Sequence, residues 1–87
     1  STTILNDVQY TKALQEKLKE EVAEGIHSET KEQTLEELAD ILEILHAYSE
    51  HIGFSPDQLE RVRERKEKKR GRFSKRILLI EVQDDEH

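Results

Sequence analysis

The chain has 87 residues, 39% of them charged and 33% apolar, so it forms one domain at most and has little material for a core of its own. It contains no Cys, which excludes disulfides and Cys-based zinc sites, and its longest apolar run, residues 77–80, is too short to cross a membrane. We therefore expect a single cytoplasmic domain over residues 1–87, with flexible ends at 1–6 and 83–87, that depends on a partner chain.

The net charge of −6 hides a division along the chain. Residues 1–60 carry 4 basic and 14 acidic side chains, and residues 61–76 carry 10 basic and 2 acidic ones. Residues 77–87 carry 4 acidic side chains and no basic one. A part that attracts cations and a part that attracts anions therefore share one small chain.

The first predicted element is a helix that begins at Asn6 or Asp7 and runs to about Glu24. Asn and Asp are favoured N-cap residues because their side chains accept a hydrogen bond from free backbone N–H groups of the first turn. Gly25 is expected to end the helix, and residues 25–29 to form a short loop. The apolar residues on one face of the helix are Tyr10, Leu14 and Leu18, with Val22 at the edge.

The second predicted helix starts between residues 29 and 34 and ends at Gly53. Its apolar residues cover so wide an arc that it should contact other elements on more than one side. Because the loop before it is short, the two helices are expected to form an antiparallel hairpin. The arc comprises Leu35, Leu38, Ile41, Leu42, Ile44, Leu45, Tyr48 and Ile52.

A third helix is predicted to run to about Arg70, with Gly71 ending it. Ser55 serves as its cap and Pro56 occupies the first helical position, where its missing N–H costs nothing. Gln58 completes a capping box with Ser55.

The segment RILLIEV, residues 76–82, is apolar and β-branched, which is typical of a short strand or an extended docking segment. Such a run needs cover from the bundle or from another chain. The sequence therefore predicts an all-α fold in which an antiparallel hairpin and a third helix form a bundle with a partner chain, followed by a short extended or β segment. We expect a homodimer or a homotetramer, without membrane contact.

Four acidic residues break the usual pattern in which acids lie on solvated helix faces. Glu21 falls inside the apolar arc of the first helix, with Glu24 at its edge. Glu37 falls inside the arc of the second helix, with Asp40 at its margin. Each pair is spaced i, i+3, and both pairs lie near the closed end of the hairpin, so they can converge.

Carboxylates that face inward cannot all stay ionised without compensation, because burial and mutual repulsion both disfavour their charged form. A divalent cation with oxygen ligands, Mg²⁺ or Mn²⁺, would remove the conflict. Ion pairs with Lys17 or with the basic segment at residues 61–76 would remove it as well. The periodicity alone leaves both interpretations open.

The sequence around these acids resembles a known enzyme family. Residues 17–24, KLKEEVAE, and residues 36–43, EELADILE, match the EExxE and ExxD motifs of the all-α nucleoside triphosphate pyrophosphatases, the MazG-like and phosphoribosyl-ATP pyrophosphohydrolase-like enzymes. Residues 66–78, KEKKRGRFSKRIL, resemble the branch of that family with an RGxFxKRI-type C-terminal segment. The resemblance covers residues 10–82 in matching order and spacing.

The resemblance implies a Mg²⁺-dependent hydrolase that cuts a nucleoside triphosphate between its α- and β-phosphates, in house-cleaning of non-canonical nucleotides. The products would be a nucleoside monophosphate and pyrophosphate. By the same resemblance, Glu20 would orient or deprotonate the attacking water. The implied Mg²⁺ ligands are Glu21, Glu24, Glu37 and Asp40, and the candidate phosphate-binding residues are Lys17, Lys66, Arg70, Lys75 and Arg76.

Two other functions are open on the same residues. The chain has no match to the basic, KLVRDKIP-like segment that relatives usually carry before the first acidic motif, so a non-catalytic helical module that binds a nucleotide or a protein is the main alternative. The basic residues 61–76 could also bind nucleic acid. That partner is disfavoured because the acidic remainder of the chain would repel a phosphate backbone and only Phe73 adds an aromatic ring to the basic run.

Overall fold

The computed structural model of the chain describes residues 4–70, without the side chain of Arg70. Over that range the fold is all-α, as predicted, and contains no strand. The three helices are α1, Asp7–Ile26, α2, Lys31–His51, and α3, Pro56–Arg70. The predicted helix end at Gly71, the segment at 76–82 and the tail at 83–87 lie outside the described residues.

Helix α1 begins with a reciprocal cap. The Asn6 side chain accepts a hydrogen bond of 2.8 Å from the Gln9 backbone N–H, and the Gln9 side chain accepts one of 3.0 Å from the Asn6 N–H. Two of the free donors at the helix start are thereby satisfied, so Asn6 rather than Asp7 is the cap.

The predicted helix end at Gly25 is wrong. Helix α1 continues through Gly25 to Ile26, and the N–H of the following residue, His27, donates to Ala23 O at 3.1 Å. Gly25 keeps a helical backbone conformation and does not adopt the left-handed turn that a helix-ending glycine would. A Cβ atom at Gly25 would lie 3.6 Å from the Cβ atom of Glu37 on α2.

Helix α2 begins and ends inside the predicted limits. The Thr30 hydroxyl caps its start by accepting from the Gln33 N–H at 3.0 Å. Its end is followed by Gly53 with a φ of +102°, the left-handed region in which a side chain is strained. The buried Ser49 hydroxyl donates to Phe54 O at 2.9 Å and so fixes the turn after the helix.

Helices α1 and α2 pack as an antiparallel hairpin. At its open end, a hydrogen bond of 2.8 Å joins Thr11 Oγ1 to His51 Nε2, and Tyr10 meets the His51 ring edge to face at 4.8 Å. One turn further in, Gln15 Nε2 donates to Tyr48 Oη at 2.9 Å. Residue 11 thus faces residue 51 and residue 15 faces residue 48, which fixes the antiparallel register.

The core of the hairpin is small. Leu14 and Ile44 are the buried apolar residues of the described range, each 8% exposed. The predicted apolar arc of α2 is therefore only partly covered by α1. No helix of the described range is both long and apolar enough to cross a lipid bilayer.

The chain divides into two compact units after Pro56, and residues 57–70 of α3 form the described part of the second. Its start at Pro56 matches the prediction. Arg63 lies between two acids of its own helix, with Nε donating to Glu60 at 2.9 Å and Nη1 lying 3.6 Å from Glu67 Oε2. These i, i+3 and i, i+4 ion pairs are those of a solvated helix surface.

Candidate metal centre

The hairpin brings three of the predicted acidic residues together. One carboxylate oxygen from each of Glu21, Glu37 and Asp40 lies within 4.8 Å of the others. Glu21 lies one heptad after Leu14 along α1, and Glu37 lies one heptad before Ile44 along α2. The two glutamates therefore occupy interface positions that apolar side chains occupy elsewhere in the same hairpin.

Burial of the three carboxylates is graded across the cluster. Glu21 is only 5% exposed, Glu37 is half-buried and Asp40 is exposed. The cluster therefore has a closed side at Glu21 and an open side at Asp40.

Two oxygens of this cluster have no hydrogen-bond donor. Glu21 Oε2 and Glu37 Oε1 are fully buried, and no described residue donates to either when both carboxylates are ionised. Buried acceptors without a donor are rare in folded proteins because desolvation is then uncompensated. The cluster thus requires a proton or a cation that the side chains around it do not supply.

In the metal-free protein, protonation of Glu37 supplies part of the missing positive charge. The hydrogen bond to Glu21, burial and the negative charge of Glu24 together raise the pKa of Glu37 to about 7. The hydrogen bond from protonated Glu37 lowers the pKa of Glu21, against the effect of burial and with help from Lys17. Of the two carboxyl groups, Glu37 is therefore the one whose protonated form is favoured.

Lys17 supplies a second positive partner for the buried acids, through the ion pair that the sequence offers as an alternative to a metal. Its Nζ lies 3.3 Å from Glu21 Oε1 and 3.7 Å from Glu20 Oε1. The hydrogen bond to Glu21 raises the pKa of Lys17. Lys17 reaches one oxygen of Glu21, Oε1, whereas the second oxygen, Oε2, is buried without a donor among the described residues.

The other predicted site residues lie differently. Glu24 is outside the three-oxygen group and exposed, but its charge raises the pKa of Glu37, so it lies beside the cluster. Glu20 is exposed and lies against Lys17. Lys66 is exposed on α3. The remaining phosphate-binding candidates, the Arg70 side chain, Lys75 and Arg76, lie outside the described part of the chain.

Sequence reasoning missed the contribution of the hairpin's closed end. Gly25 lies against Glu37 of α2, and the Ser28 hydroxyl lies 2.8 Å from Gly25 O and 2.6 Å from Thr34 Oγ1. These contacts fix the loop beside the cluster. The spacing of Gly25, one turn after Glu21 on the packing face, was the signal that could have revealed it.

A comparison with models of known protein families, with curated proteins and with solved structures finds no match to this chain.

Proposed function

We propose that the chain is a Mg²⁺-dependent nucleoside triphosphate pyrophosphohydrolase of the all-α type, acting on non-canonical nucleotides in the cytoplasm. The observation that carries the metal site is the pair of buried oxygens, Glu21 Oε2 and Glu37 Oε1, that no described residue satisfies. The substrate and the reaction rest on the EExxE and ExxD motifs at residues 20–24 and 37–40.

The donor set fits a hard divalent cation. Glu21, Glu37 and Asp40 offer carboxylate oxygens only, and Mg²⁺ and Mn²⁺ prefer oxygen ligands. Glu24, which lies beside Glu37, is the proposed fourth ligand. The open side at Asp40 leaves room for water and phosphate oxygens, which Mg²⁺ commonly keeps in its shell. A bound cation would polarise phosphate oxygens and acidify a bound water.

The chain's own residues have distinct roles in this proposal. Glu21 and Glu37 hold a dense negative charge at the closed side of the site. Glu20, which is exposed, accepts a proton from the water that attacks the phosphoanhydride. Lys17 offers an ammonium group to the phosphate oxygens of the pyrophosphate that leaves.

Pyrophosphate release from a panel of nucleoside triphosphates with Mg²⁺ tests the enzyme assignment. We expect Glu37→Gln to lower the rate at least about 100-fold, since loss of groups that merely orient a metal ligand already costs about 10- to 100-fold. Glu43→Gln, an exposed acid of the same helix, is the matched control and should keep the rate of the unmodified protein.

The outcomes separate the candidate functions. Equal rates for Glu37→Gln and the unmodified chain would contradict the catalytic assignment. No turnover by the unmodified chain, together with metal-dependent binding of a nucleotide, would instead identify a non-catalytic nucleotide-binding module.

We also propose that the protein is a homodimer, or a homotetramer built from it, in which a second copy covers the exposed side of α2. The residues of this apolar face follow one another at intervals of three, four, three and seven, the last lying just after the end of α2, and the face is about 100° around the helix from the side that packs on α1. Its five side chains are between 39% and 68% exposed. They are Leu35, Leu38, Leu42, Leu45 and Ile52.

Burial of this apolar face would contribute a free energy of the same size as the cost of association. Full burial of one such side chain contributes about 1.5–3 kcal/mol, so five that are roughly half-exposed offer about 4–8 kcal/mol per copy. A symmetric pair doubles this gain, which then matches the cost of association, about 4–15 kcal/mol.

A further inference from the structure

The buried carboxylate of Glu21 faces two different surroundings. Its Oε1 atom lies 3.3 Å from Lys17 Nζ, and its Oε2 atom is buried without a hydrogen-bond donor among the described residues. The same carboxylate contributes an oxygen to the acidic cluster with Glu37 and Asp40. One carboxylate therefore belongs at once to an ion pair of the chain and to the candidate metal site.

Lys17 can leave this ion pair without a change of fold. Its side chain is 56% exposed, whereas that of Glu21 is 7% exposed, so the ammonium approaches the buried acid from the solvent side. The two residues are spaced i, i+4 on α1, and rotation of the long lysine side chain alone separates them. Glu20, whose carboxylate is 3.7 Å away, gives the ammonium a second partner.

A cation in the cluster and the Lys17 ammonium would compete for Glu21. Both are positive and both bind the same carboxylate, so each disfavours the other. For an ammonium roughly 6 Å from a divalent cation in water at physiological salt, Coulomb repulsion weakens cation binding about 3- to 10-fold. Release of the lysine removes this repulsion.

We propose that Lys17 is the internal counter-ion of the metal-free site, and that a divalent cation displaces its ammonium from Glu21. The inference rests on the metal site of the proposed function and adds an exchange step to it. The ammonium held by the acid in the metal-free protein becomes free, beside the loaded site, to bind phosphate oxygens. A single lysine thus compensates the buried charge first and meets the substrate afterwards.

The test is calorimetric titration of Mg²⁺ and Mn²⁺ without nucleotide into Lys17→Gln and Lys19→Gln. Lys19 is a matched control, since it lies on the same helix, carries the same charge and pairs at 3.3 Å with Glu16, away from the cluster. We expect Lys17→Gln to bind either cation about 3- to 10-fold more tightly than the unmodified chain. Lys19→Gln should bind with unchanged affinity, and Lys17→Arg should restore that of the unmodified chain.

A second titration measures whether the displaced Lys17 ammonium binds phosphate oxygens. With Mn²⁺ saturating the site, tripolyphosphate should bind more weakly to Lys17→Gln than to Lys19→Gln. Because Lys17→Gln removes the counter-ion of the buried Glu21, circular dichroism checks that each variant is folded before it is titrated, and Lys17→Arg keeps the positive charge.

Each outcome decides a different point. Unchanged or weaker cation binding by Lys17→Gln would overturn the counter-ion role and leave the metal site standing. Tighter cation binding with unchanged tripolyphosphate binding would overturn the second half of the exchange. Failure of the unmodified chain and of every variant to bind either cation would remove the metal site itself, and the proposed function with it.

Discussion

At the scale of single residues, the protonation of Glu37 is the most informative property of the site. Its pKa of about 7 means that the metal-free protein carries this carboxyl partly protonated near neutrality. A proton or a divalent cation would each supply a positive partner for the buried oxygens of Glu21 and Glu37. Metal binding near neutral pH should therefore release protons.

The same carboxyl makes the stability of the metal-free protein depend on pH. The folded-state pKa of Glu37 is raised from 4.5 to about 7, so the folded chain binds more protons than the unfolded one in that interval. This contribution is complete below pH 4.5 and is lost as the pH rises through 7. We expect the melting temperature in EDTA to fall over this window, as measured by circular dichroism.

Glu37→Gln provides the control for this dependence, because an amide keeps the shape of a protonated carboxyl and does not titrate. The variant should show a flatter profile between pH 4.5 and about 7. The lowered pKa of Glu21 acts in the opposite direction, but below pH 4.5, outside the window. A slope unchanged by the substitution would show that another group titrates.

At the scale of helices, the two described glycines of known surroundings have opposite uses. Gly25 lies inside α1, and a Cβ atom there would meet the Cβ atom of Glu37 at an ordinary contact distance of 3.6 Å. Gly53 follows α2 with a φ of +102°, and a Cβ atom there would meet nothing within 4 Å. A side chain therefore fits at the first position, whereas the backbone conformation disfavours one at the second.

This contrast predicts opposite effects of the same substitution. Gly25→Ala should stabilise the protein by about 0.5–1 kcal/mol, since alanine is the better helix former and the contact is tolerated. Gly53→Ala should destabilise it by about 1–2 kcal/mol, the cost of a side chain in the left-handed region. Urea unfolding of the two variants measures both, and equal signs would contradict the argument.

Sequence reasoning succeeded for the helices where the signals are local. Capping residues and apolar periodicity identified the start of α1, the limits of α2 and the start of α3 at Pro56. It failed at Gly25, because a glycine is read as a stop unless the approach of another helix is known. A helical wheel likewise gives the angular positions of Glu24 and Asp40 on their own helices. It does not show that Asp40 lies within the cluster of carboxylates while Glu24 lies outside it.

At the scale of the whole molecule, the hairpin has few means of standing alone. Its described part buries the apolar side chains of Leu14 and Ile44 and places two acids in the remaining interface. The proposed homodimer would cover the exposed part of the apolar arc, and its folding and association would then be coupled.

The proposed homodimer predicts that association depends on the apolar face of α2. Leu38→Glu combined with Leu42→Glu should shift sedimentation toward the mass of one chain, 10.2 kDa, because charge would be buried in the interface. The melting temperature of the unmodified protein should rise with its concentration. Ala13→Glu, at an exposed position of α1, should change neither result.

A concentration-independent mass of one chain for the unmodified protein would contradict the homodimer. Loss of association in Ala13→Glu to the same extent as in the double variant would show that added negative charge, rather than the apolar face, is responsible.

The two glutamates in the hairpin interface also have an evolutionary consequence. A sequence selected for stability alone would carry leucine at positions 21 and 37, in register with Leu14 and Ile44, and would need neither a protonated carboxyl nor a lysine counter-ion. Acids at these two interface positions lower the free energy of unfolding of a hairpin whose buried apolar core is already small. Random variation should therefore find more stable hairpins easily, and each would lack the acids of the proposed cation site.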